Sequence, residues 1–433
     1  MAGCLAILLL GACAPKPQPA ELPVRVARLE PVLAKTPFGK TVAEAVRSSP
    51  ELSASAAEIA VAQAELSEAQ SAARPGLTLG LDLAASAALG QGFGSRNSAV
   101  VKVTQLLFDG GATKRRVEAA EISVQREAYL RDAATAQTAL GAVEAWINLI
   151  QQRQIRNLAV ENEATHQDFF EKVQELSDAG VGTQVDYLSA QSRLAQATAR
   201  KAAAINALAH AEADYRQIFA TLPTHLPSVP TGPSLPAQSD DGLIKTSPRL
   251  QSLDAEIDAA AQLVAAAEAA RQPPVSFEAG VGYDPTLGDP AVSVGVSPRF
   301  EVSNGGRRNA VVAQAKARLA RLQAERDQLA RDIRRTLQVL RADQRSGRAT
   351  VAAGAASVKA HTATVGAVDE QFSTGRQSIS QLLDAQRDLF DASESLIRAR
   401  SDLKITQYAA LALTGDIIDV FGLTPPVPDE TAE

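Results

Sequence analysis

Aromatic residues are scarce in this chain of 433 residues: they make up 4% of it, although hydrophobic residues as a whole make up 45%. The apolar content is therefore mainly Ala, Leu and Val. Compact globular cores draw much of their buried area from Phe, Tyr and Trp, so the composition favours long Ala-rich helices instead. The formal net charge is only −6, and acidic and basic residues are mixed along most of the chain. This balance argues against nucleic acid as a partner.

Cysteine is almost absent, and its two copies, Cys4 and Cys13, both lie at the start of the chain. The apolar run between them is too short to span a bilayer but fits the core of a signal peptide. The letters LGAC that end at Cys13 resemble the lipobox of bacterial lipoproteins, which implies a signal peptide over 1–12 and acyl chains on Cys13. Several such chains, at about 0.8 kcal/mol per buried CH₂, would hold the protein at a membrane, and Ala14 favours the outer one. The alternative is a chance pair of cysteines in an apolar leader.

Proline is missing from two long tracts, between Gly76 and Leu222 and between Arg299 and Thr424. Because proline breaks helices and central strands, these tracts predict two regular halves joined by a proline-rich linker. A second proline-rich segment follows Cys13 and predicts an extended tether. The predicted divisions are a tether over 13–39, a first repeat over 40–222, a linker over 223–241, a second repeat over 242–420 and a tail over 421–433.

Two stretches far apart in the chain repeat each other. AGVGTQVDYLSAQ at 179–191 and TGRQSISQLLDAQ at 374–386 share a Gly, a Leu and an Ala-Gln pair at positions 195 apart. FDGG at 108–111 pairs with SNGG at 303–306 at the same spacing. A repeat of this length is far too long for a solenoid unit. It predicts a half-molecule that was duplicated, and a pseudo-symmetric structure.

The same order of elements is predicted in both halves. An Ala-rich helix is followed by two segments that alternate apolar and polar residues, the pattern of a β-hairpin. Two long helices follow, with apolar residues spaced by three, four or seven as in coiled coils. The predicted bounds are helix 42–73, β-hairpin 76–108 and helices 111–176 and 184–220 in the first half, and helix 250–271, β-hairpin 274–302 and helices 306–372 and 378–415 in the second.

The four alternating segments are about as long as transmembrane β-strands, which need ~9 to 11 residues. Four strands cannot close a barrel, and lipid does not tolerate an open sheet edge. Closure therefore requires several chains, and three chains would supply about twelve strands, an even number within the range of outer-membrane barrels. The long helices, at 1.5 Å per residue, would extend for about 95 to 100 Å away from the membrane.

The duplicated layout, the FDGG and SNGG junctions and the two turn motifs are similar to those of the TolC family of outer-membrane efflux and type I secretion proteins, over roughly residues 40 to 420. The resemblance implies a mainly α fold with membrane β-strands, in a homotrimer whose strands form an outer-membrane barrel and whose helices form a tunnel across the periplasm. It implies a passive channel supplied by an inner-membrane pump or ABC exporter through a periplasmic adaptor, the membrane fusion protein.

The alternative function is that of a lipid-anchored periplasmic coiled-coil adaptor or envelope spacer without a pore. Two helical hairpins and two strand pairs favour the channel. The aromatic girdle expected at a membrane interface is thin, however, and consists of Phe93, Phe108, Tyr283 and Phe300 at most. If the strands did not insert into a membrane, the alternative would gain support.

The resemblance assigns the two helical turns to the tunnel entrance, where they would meet the adaptor. The adaptor-facing residues it implies are Gly180, Gly182, Leu188, Gly375 and Leu383. In the family's gate, an Asp of one hairpin is tied to a Tyr and an Arg of the other. Asp186 matches the Asp, whereas Phe372 stands in place of the Tyr and Gln377 in place of the Arg, so that Arg376 is left as the basic partner of the lock. Simple surface charge is the competing interpretation of this pair.

The resemblance also implies an acidic constriction ring. Asp384 matches one of its two positions, and Gln381 occupies the other. Three copies of Asp384 around a threefold axis would favour cations, with weaker selectivity than two rings.

No catalytic, cofactor-binding or metal-binding residues are predicted. The four histidines are scattered and lack a second ligand at the spacing of motifs such as HExxH. The glycine-rich GQGFG at 90–94 lacks the Lys-Ser/Thr of a phosphate loop and lies between two strands. The sequence therefore predicts a protein that is not an enzyme.

Overall fold

The computed structural model describes most of the chain as helix or strand. The described residues are 19–88, 92–180, 183–283, 290–299, 301, 303, 305–374 and 376–423, with side chains left out over 82–98. In chain order the elements are α1 (Pro37–Arg47), α2 (Pro50–Ser71), β1 (Gly76–Ala88), β2 (Gly92–Phe108), α3 (Ala112–Asp178), α4 (Gln184–Phe219), α5 (Asp240–Lys245), α6 (Pro248–Ala269), β3 (Val275–Tyr283), β4 (Pro290–Pro298), α7 (Arg307–Ser373), α8 (Ile379–Thr414) and α9 (Asp416–Phe421).

The duplication is visible in the lengths of the helices. Helices α3 and α7 both have 67 residues, and α4 and α8 both have 36. Each boundary of the second pair lies 195 positions after its counterpart, from 112 to 307 and from 184 to 379. Helices α2 and α6 both have 22 residues, and α6 starts 198 positions later, from 50 to 248.

The helix predicted over 42–73 is interrupted, because the chain forms α1 and α2 there, whereas the helix predicted over 250–271 agrees with α6 to within two residues at each end. The chain makes two helices in each half, α1 and α2 or α5 and α6, and a proline opens the second one each time. Proline is tolerated in the first turn of a helix, but the residue before it is pushed out of the helical region. Pro50 and Pro248 thus fix the break at equivalent points.

The chain folds into two compact units. We call the first the strand unit; it holds all four strands and comprises 54–131 and 249–330 with the segment ending at Val24. We call the second the core unit; it comprises 25–53, 132–248 and the chain from 331 onward. Among the described residues, no helix combines the length and apolar character needed to cross a bilayer.

The strand unit contains one antiparallel sheet in the order β1-β2-β3-β4, so that β1 and β4 are its edges. Directly opposed residues of antiparallel strands share a face, and adjacent rows alternate between faces. One row consists of Leu79, Val101, Val281 and Val292, and the next consists of Thr78, Lys102, Gly280 and Ser293. The sheet therefore has an apolar face and a polar face.

The scarce aromatic residues are concentrated in the core unit. Phe38, Trp146, Tyr408 and Phe421 are almost completely buried. The Phe38 and Trp146 rings meet edge to face at 5.1 Å, a favourable arrangement of aromatic quadrupoles. The Trp146 indole donates to the carbonyl of Pro227 at 3.1 Å, and this bond ties the proline-rich linker to the core.

The segment predicted to be an extended tether is fixed to the C-terminal helix from Arg25 onward. Arg25 Nε lies 3.0 Å from Asp419 Oδ1, and Arg28 Nη2 lies 2.6 Å from Asp416 Oδ1. Both carboxylates are buried, and a buried charge without a partner is costly. Burial raises the pKa of Asp416 although Arg28 opposes the shift. The second half of the tether predicted over 13–39 is therefore docked on α9 by these ion pairs.

The C-terminal region is also more ordered than predicted. The tail predicted over 421–433 begins inside α9, where Phe421 is completely buried. The remainder of that tail, 424–433, lies outside the described residues, as do the predicted signal peptide over 1–12 and Cys13.

Candidate functional site

The first helical turn is held by a side-chain cap. Helix α3 ends at Asp178, and Gly180 adopts a φ of +75°, the left-handed conformation that glycine tolerates best. Thr183 then caps α4, because its hydroxyl oxygen accepts a hydrogen bond from the Asp186 backbone N–H at 3.1 Å. The same hydroxyl donates to the Asp186 carboxylate at 2.6 Å. Gly182, predicted to face the adaptor, lies outside the described residues.

The second helical turn has no such cap. Ser378 occupies the capping position of α8, but its side chain makes no capping hydrogen bond. The backbone N–H of Arg376 donates to the carbonyl of Gln371 at 2.9 Å, and the Gln377 side chain donates to that of Gln371 at 3.0 Å. Gly375 lies outside the described residues. The repeated motif therefore folds into two turns that are held by different hydrogen bonds.

A small apolar cluster lies between the turns, which we call the turn cluster. Its buried members come from α3, α4 and α8 and are Phe169, Val173, Ala190, Ile379, Leu382 and Leu383. Phe372 packs on its rim; its ring can supply apolar contact but not the hydroxyl of a tyrosine. The two repeated leucines differ sharply, since Leu383 is 1% exposed and Leu188 is 52% exposed. Only Leu383 is therefore part of the packing.

The predicted lock between Asp186 and Arg376 does not form within this chain. Across the described part of the molecule, Asp186 bonds to Thr183 of its own helix, and no ion pair joins it to Arg376. Arg376 is exposed and Gln381 is exposed beside it in the same turn region. A lock made by these residues between copies of the chain stays a prediction.

Asp384 is paired with arginines rather than free. Its Oδ1 lies 2.7 Å from Arg193 Nη2 on α4 and 3.4 Å from Arg387 Nη1 on its own helix. Arg387 also binds Asp388 at 2.9 Å. Two guanidinium groups and two carboxylates cancel in formal charge. The carboxylate predicted to form the acidic ring is therefore paired with arginines in this structure, and the ring itself stays a prediction.

The pairing of Asp384 belongs to a regular ladder. One heptad farther along both helices, Arg200 Nη1 lies 3.2 Å from Asp391 Oδ1, and the Arg200 guanidinium lies 4.9 Å from the centre of the Phe390 ring. Such a ring attracts a cation over its face. The signal was present in the sequence, because Arg193 and Arg200 are spaced by seven residues, as are Asp384 and Asp391. Sequence reasoning missed it because nothing local shows that α4 and α8 lie side by side.

One histidine near this ladder is buried. His166 on α3 is 4% exposed, and burial, reinforced by the positive charges of Arg193 and Arg200, lowers its pKa. Among the described residues, no group of three His, Cys, Asp or Glu side chains could hold a metal ion.

The apolar face of the sheet is the second candidate surface. Large side chains stand exposed on both edge strands: Leu77 (69%), Leu79 (69%), Leu81 (71%), Val292 (73%), Val294 (70%) and Val296 (58%). An exposed apolar patch of this kind marks a protein or membrane contact. The opposite face carries an ion pair between Lys102 and Glu278 at 2.7 Å. Apolar-out and polar-in alternation is the pattern of strands in outer-membrane barrels.

The comparison with known families decides the classification. The sequence profile described as outer membrane efflux protein matches residues 41–221 and 241–416, which is most of the chain. This chain belongs to the outer membrane efflux protein family.

Individual members agree with this placement. The chain is 27% identical over 394 residues to the outer membrane efflux protein BepC of Brucella suis, covering 88% of this chain and 86% of that protein. Its fold is similar to the crystal structure of CusC, with a TM-score of 0.81, 16% identity and coverage of 93% and 97% of the two chains. It is also similar to the open state of the MtrE outer membrane channel of Neisseria gonorrhoeae, with a TM-score of 0.78, 17% identity and coverage of 94% and 98%.

The outer membrane efflux protein family accounts for the mainly α fold with a membrane sheet, and the resemblance to TolC-type channels is confirmed. The function as an outer membrane efflux channel is confirmed with it. The family is one of channels rather than enzymes, and its location is the outer membrane. Members of the family act as trimeric channels together with adaptors and inner-membrane pumps. The alternative of a pore-free adaptor loses its support.

Proposed function

We propose that three copies of this chain close a twelve-stranded barrel in the outer membrane and passively conduct cargo that an inner-membrane pump delivers through a periplasmic adaptor. The observation that carries the proposal is the sheet. Among the described residues no further strand pairs with its edges β1 and β4, and one face is apolar across all four strands. Lipid requires every backbone N–H and C=O to be bonded, so other copies must cover these edges.

The two helical turns supply the surface for the adaptor. Leu188 and Val185 stand exposed beside the capped turn, and apolar side chains at a well-defined turn suit a protein contact. The second turn, which lacks a side-chain cap, is the one expected to move. Asp186, Phe372, Arg376 and Gln377 form the gate in this proposal, and Asp384 with Gln381 forms the constriction.

The chain is also proposed to carry a lipid anchor at Cys13, because LGAC fits a lipobox. Two or more acyl chains give stable membrane attachment. Mass spectrometry of the purified mature N-terminus tests this directly. A diacylated or triacylated Cys13 is the expected product, and an unmodified N-terminus elsewhere in the leader would overturn the proposal.

The central test is single-channel conductance of the detergent-purified protein in a planar bilayer, with its oligomeric mass determined on the same sample. The expected result is a trimer that produces discrete conductance steps. A Pro substitution at Val101 in the central strand β2, which would remove a ladder hydrogen bond, should abolish the steps. The same substitution at Val26, an exposed residue of the N-terminal segment, is the matched control. A monomeric, silent wild-type protein would overturn the channel.

A further inference from the structure

A cavity lies in the strand unit, beside the junction between β4 and α7. Its volume is about 600 Å³, within the range of pockets that hold small organic ligands. Its lining comes from α3, α6, α7 and the segments that flank the ends of β3 and β4, all within the one unit. The gate, the constriction and the adaptor-facing turns proposed above use none of these residues.

The walls of this cavity are strongly basic. Of the described residues that line it, five are arginines and one, Glu301, carries a carboxylate. The arginines are Arg116, Arg299, Arg307, Arg308 and Arg318. Glu301 Oε2 lies 3.3 Å from Arg307 Nη2, so this carboxylate is already engaged. Because the chain as a whole has a formal net charge of −6, the local excess of positive charge does not follow from composition.

Three of these arginines lack a counter-charge. Arg116, Arg299 and Arg318 form no ion pair with any carboxylate in the described part of the chain, and all three are exposed. An arginine presents several N–H donors in a planar fork that matches carboxylate, sulfonate or phosphate oxygens. The cavity therefore offers anion-binding groups that the chain itself does not use.

The floor of the cavity is apolar. Ala260 and Ala266 of α6 are buried, whereas Leu263 of the same helix and Val311 of α7 are 40% and 48% exposed. A ligand with an apolar body would remove these two side chains from water, which is favourable in proportion to the area covered. A small inorganic anion would contact the arginines and leave Leu263 and Val311 in water. The lining therefore fits an anion that is also amphipathic.

Arg299 places one wall of the cavity on the polar side of the sheet. It follows β4 by one residue, and its backbone N–H donates to the carbonyl of Pro274 at 3.1 Å, which continues the register of β3 with β4. Side chains alternate between the faces of a strand, so Arg299 shares a face with Ser297. That is the face of the ion pair between Lys102 and Glu278, which the proposed barrel turns towards its lumen.

The first half of the chain makes the same junction without this cluster. A strand leads into a long helix through a Gly-Gly pair in both halves. At the shift of 195 positions that relates 307 to 112, the counterparts of three of the arginines are Thr104, Thr113 and Ser123. The junction itself therefore does not require arginine, and the basic cavity is a feature of the second half alone.

We propose that this cavity binds amphipathic organic anions, with the anionic group paired to the arginines of the wall and the apolar body covering Leu263 and Val311. The proposal rests on the proposed function and deepens it, because it gives the tunnel wall a binding site for one class of cargo. Basic side chains in a channel wall favour anions. Three copies would supply three such sites, opposite in charge to the predicted acidic constriction at the other end of the helices.

The test is block of the single-channel current in a planar bilayer by naphthalene-2-sulfonate, a rigid anion with an apolar body. The conductance of the wild-type trimer should fall with increasing probe concentration. Methanesulfonate, which has the same charged group without the apolar body, should not block at the same concentration. Arg318→Gln should raise the half-blocking concentration about tenfold, because a hydrogen bond to a charged group is lost. Leu263→Ala should raise it about threefold, because apolar contact is lost.

Arg321→Gln is the matched control. Arg321 lies on the same helix, three residues from Arg318, outside the lining of the cavity, and pairs with Glu325 of its own helix. Its substitution removes the same charge and should leave the half-blocking concentration at the wild-type value. Arg299→Gln, at the end of the strand, is a second variant that should weaken the block. The oligomeric mass and circular dichroism of each sample establish that the variants compared are folded trimers.

The outcomes separate this proposal from the channel itself. A conducting trimer that naphthalene-2-sulfonate does not block would overturn the anion site and leave the channel intact, and it is also the result expected if a neighbouring copy fills the cavity with its own carboxylates. Equal block in the wild type, Arg318→Gln and Arg321→Gln would likewise overturn the site. A wild-type protein that forms neither trimers nor conductance steps would overturn the proposed function.

Discussion

The two helical hairpins, α3 with α4 and α7 with α8, have equal lengths but different surroundings. Thr183 caps the first turn with its hydroxyl, whereas Ser378 makes no such bond at the second. Leu188 is exposed in the first hairpin, and its counterpart Leu383 is buried in the second. Duplication has thus preserved where helices begin and end, while the environment of equivalent residues has diverged.

This divergence gives the two turns different surfaces and different hydrogen bonding. The capped turn with its exposed leucine presents a stable surface, which suits a docking contact. The uncapped turn is connected to the rest by the turn cluster and by half-exposed ion pairs. The feature that distinguishes the second turn is its lack of a side-chain cap, because the start of α8 is otherwise packed into the turn cluster by Ile379, Leu382 and Leu383.

The largest difference in stability is expected between substitutions of Leu383 and Leu188, which occupy equivalent positions of the two repeats. Leu383→Ala removes a buried side chain and leaves a cavity, so we expect a loss of about 2 to 5 kcal/mol in the free energy of unfolding. Leu188→Ala removes an exposed side chain and should change it by less than about 0.5 kcal/mol. Thermal unfolding in detergent, followed by circular dichroism, measures both. Equal losses would show that the two leucines are packed alike.

Substitutions at the two capping positions, Thr183 and Ser378, should differ in stability by a smaller amount. Thr183→Ala removes the hydroxyl that bonds the Asp186 backbone and carboxylate, which should cost about 1 kcal/mol. Ser378→Ala removes no capping bond and should cost little. Hydrogen exchange of the first-turn amides of α4 and α8 measures the effect where it occurs. If Ser378→Ala lowered the protection of the α8 amides as much as Thr183→Ala lowered that of the α4 amides, the conclusion that Ser378 forms no cap would be wrong.

The ion-pair ladder is expected to affect conductance more than stability. An exposed pair contributes only about 0 to 1 kcal/mol, so Arg193→Gln should change the melting curve little. It should, however, release the Asp384 carboxylate and raise cation preference in a salt gradient, whereas Asp384→Asn should lower it. Arg200→Gln, at the next rung, is the matched control. Unchanged cation preference in Asp384→Asn would contradict the assignment of the constriction.

His166 and His361 lie 195 positions apart, at equivalent positions of the two halves. Their substitution is expected to have the smallest effect, which is on stability at acid pH. Because burial lowers the pKa of His166 below its ordinary value of 6.5, the unfolded chain binds this proton more tightly than the folded one. Stability from this residue is therefore complete above about pH 6.5 and is lost as the pH falls below it. His166→Gln should make the melting temperature fall less as the pH is lowered into the acid range. His361→Gln, at the partly exposed equivalent position, should leave that fall unchanged.

Much of the fold could be predicted because its signals are local. Period-two alternation over 76–108 and 274–302 and helical periodicity beyond each GG pair follow from how side chains project from strands and helices. The break before Pro50 was missed although it too is local, since an Ala-rich stretch conceals a two-residue interruption. The docking of Arg25 and Arg28 on α9 could not be predicted, because their carboxylate partners lie almost 400 positions away in the chain.

The candidate site was only partly accessible to prediction. The resemblance located the turns and Asp384, but it assigned Asp186 to Arg376, whereas the structure bonds Asp186 to Thr183 of its own helix. A capping threonine three residues before an acidic residue is itself a local signal. Arg193, in contrast, is important only because α4 lies beside α8, and helix neighbours are not encoded in spacing along one helix.

By itself the sequence determined the duplicated architecture, the class of each element and the channel family, because periodicity, proline and the repeated motifs act over short distances or at a fixed spacing. The tertiary structure decided which of two equivalent residues is buried and which carboxylate is paired with arginine. The physical reason is that burial and ion pairing depend on which helices lie side by side, and the two copies of one sequence pattern have different neighbours.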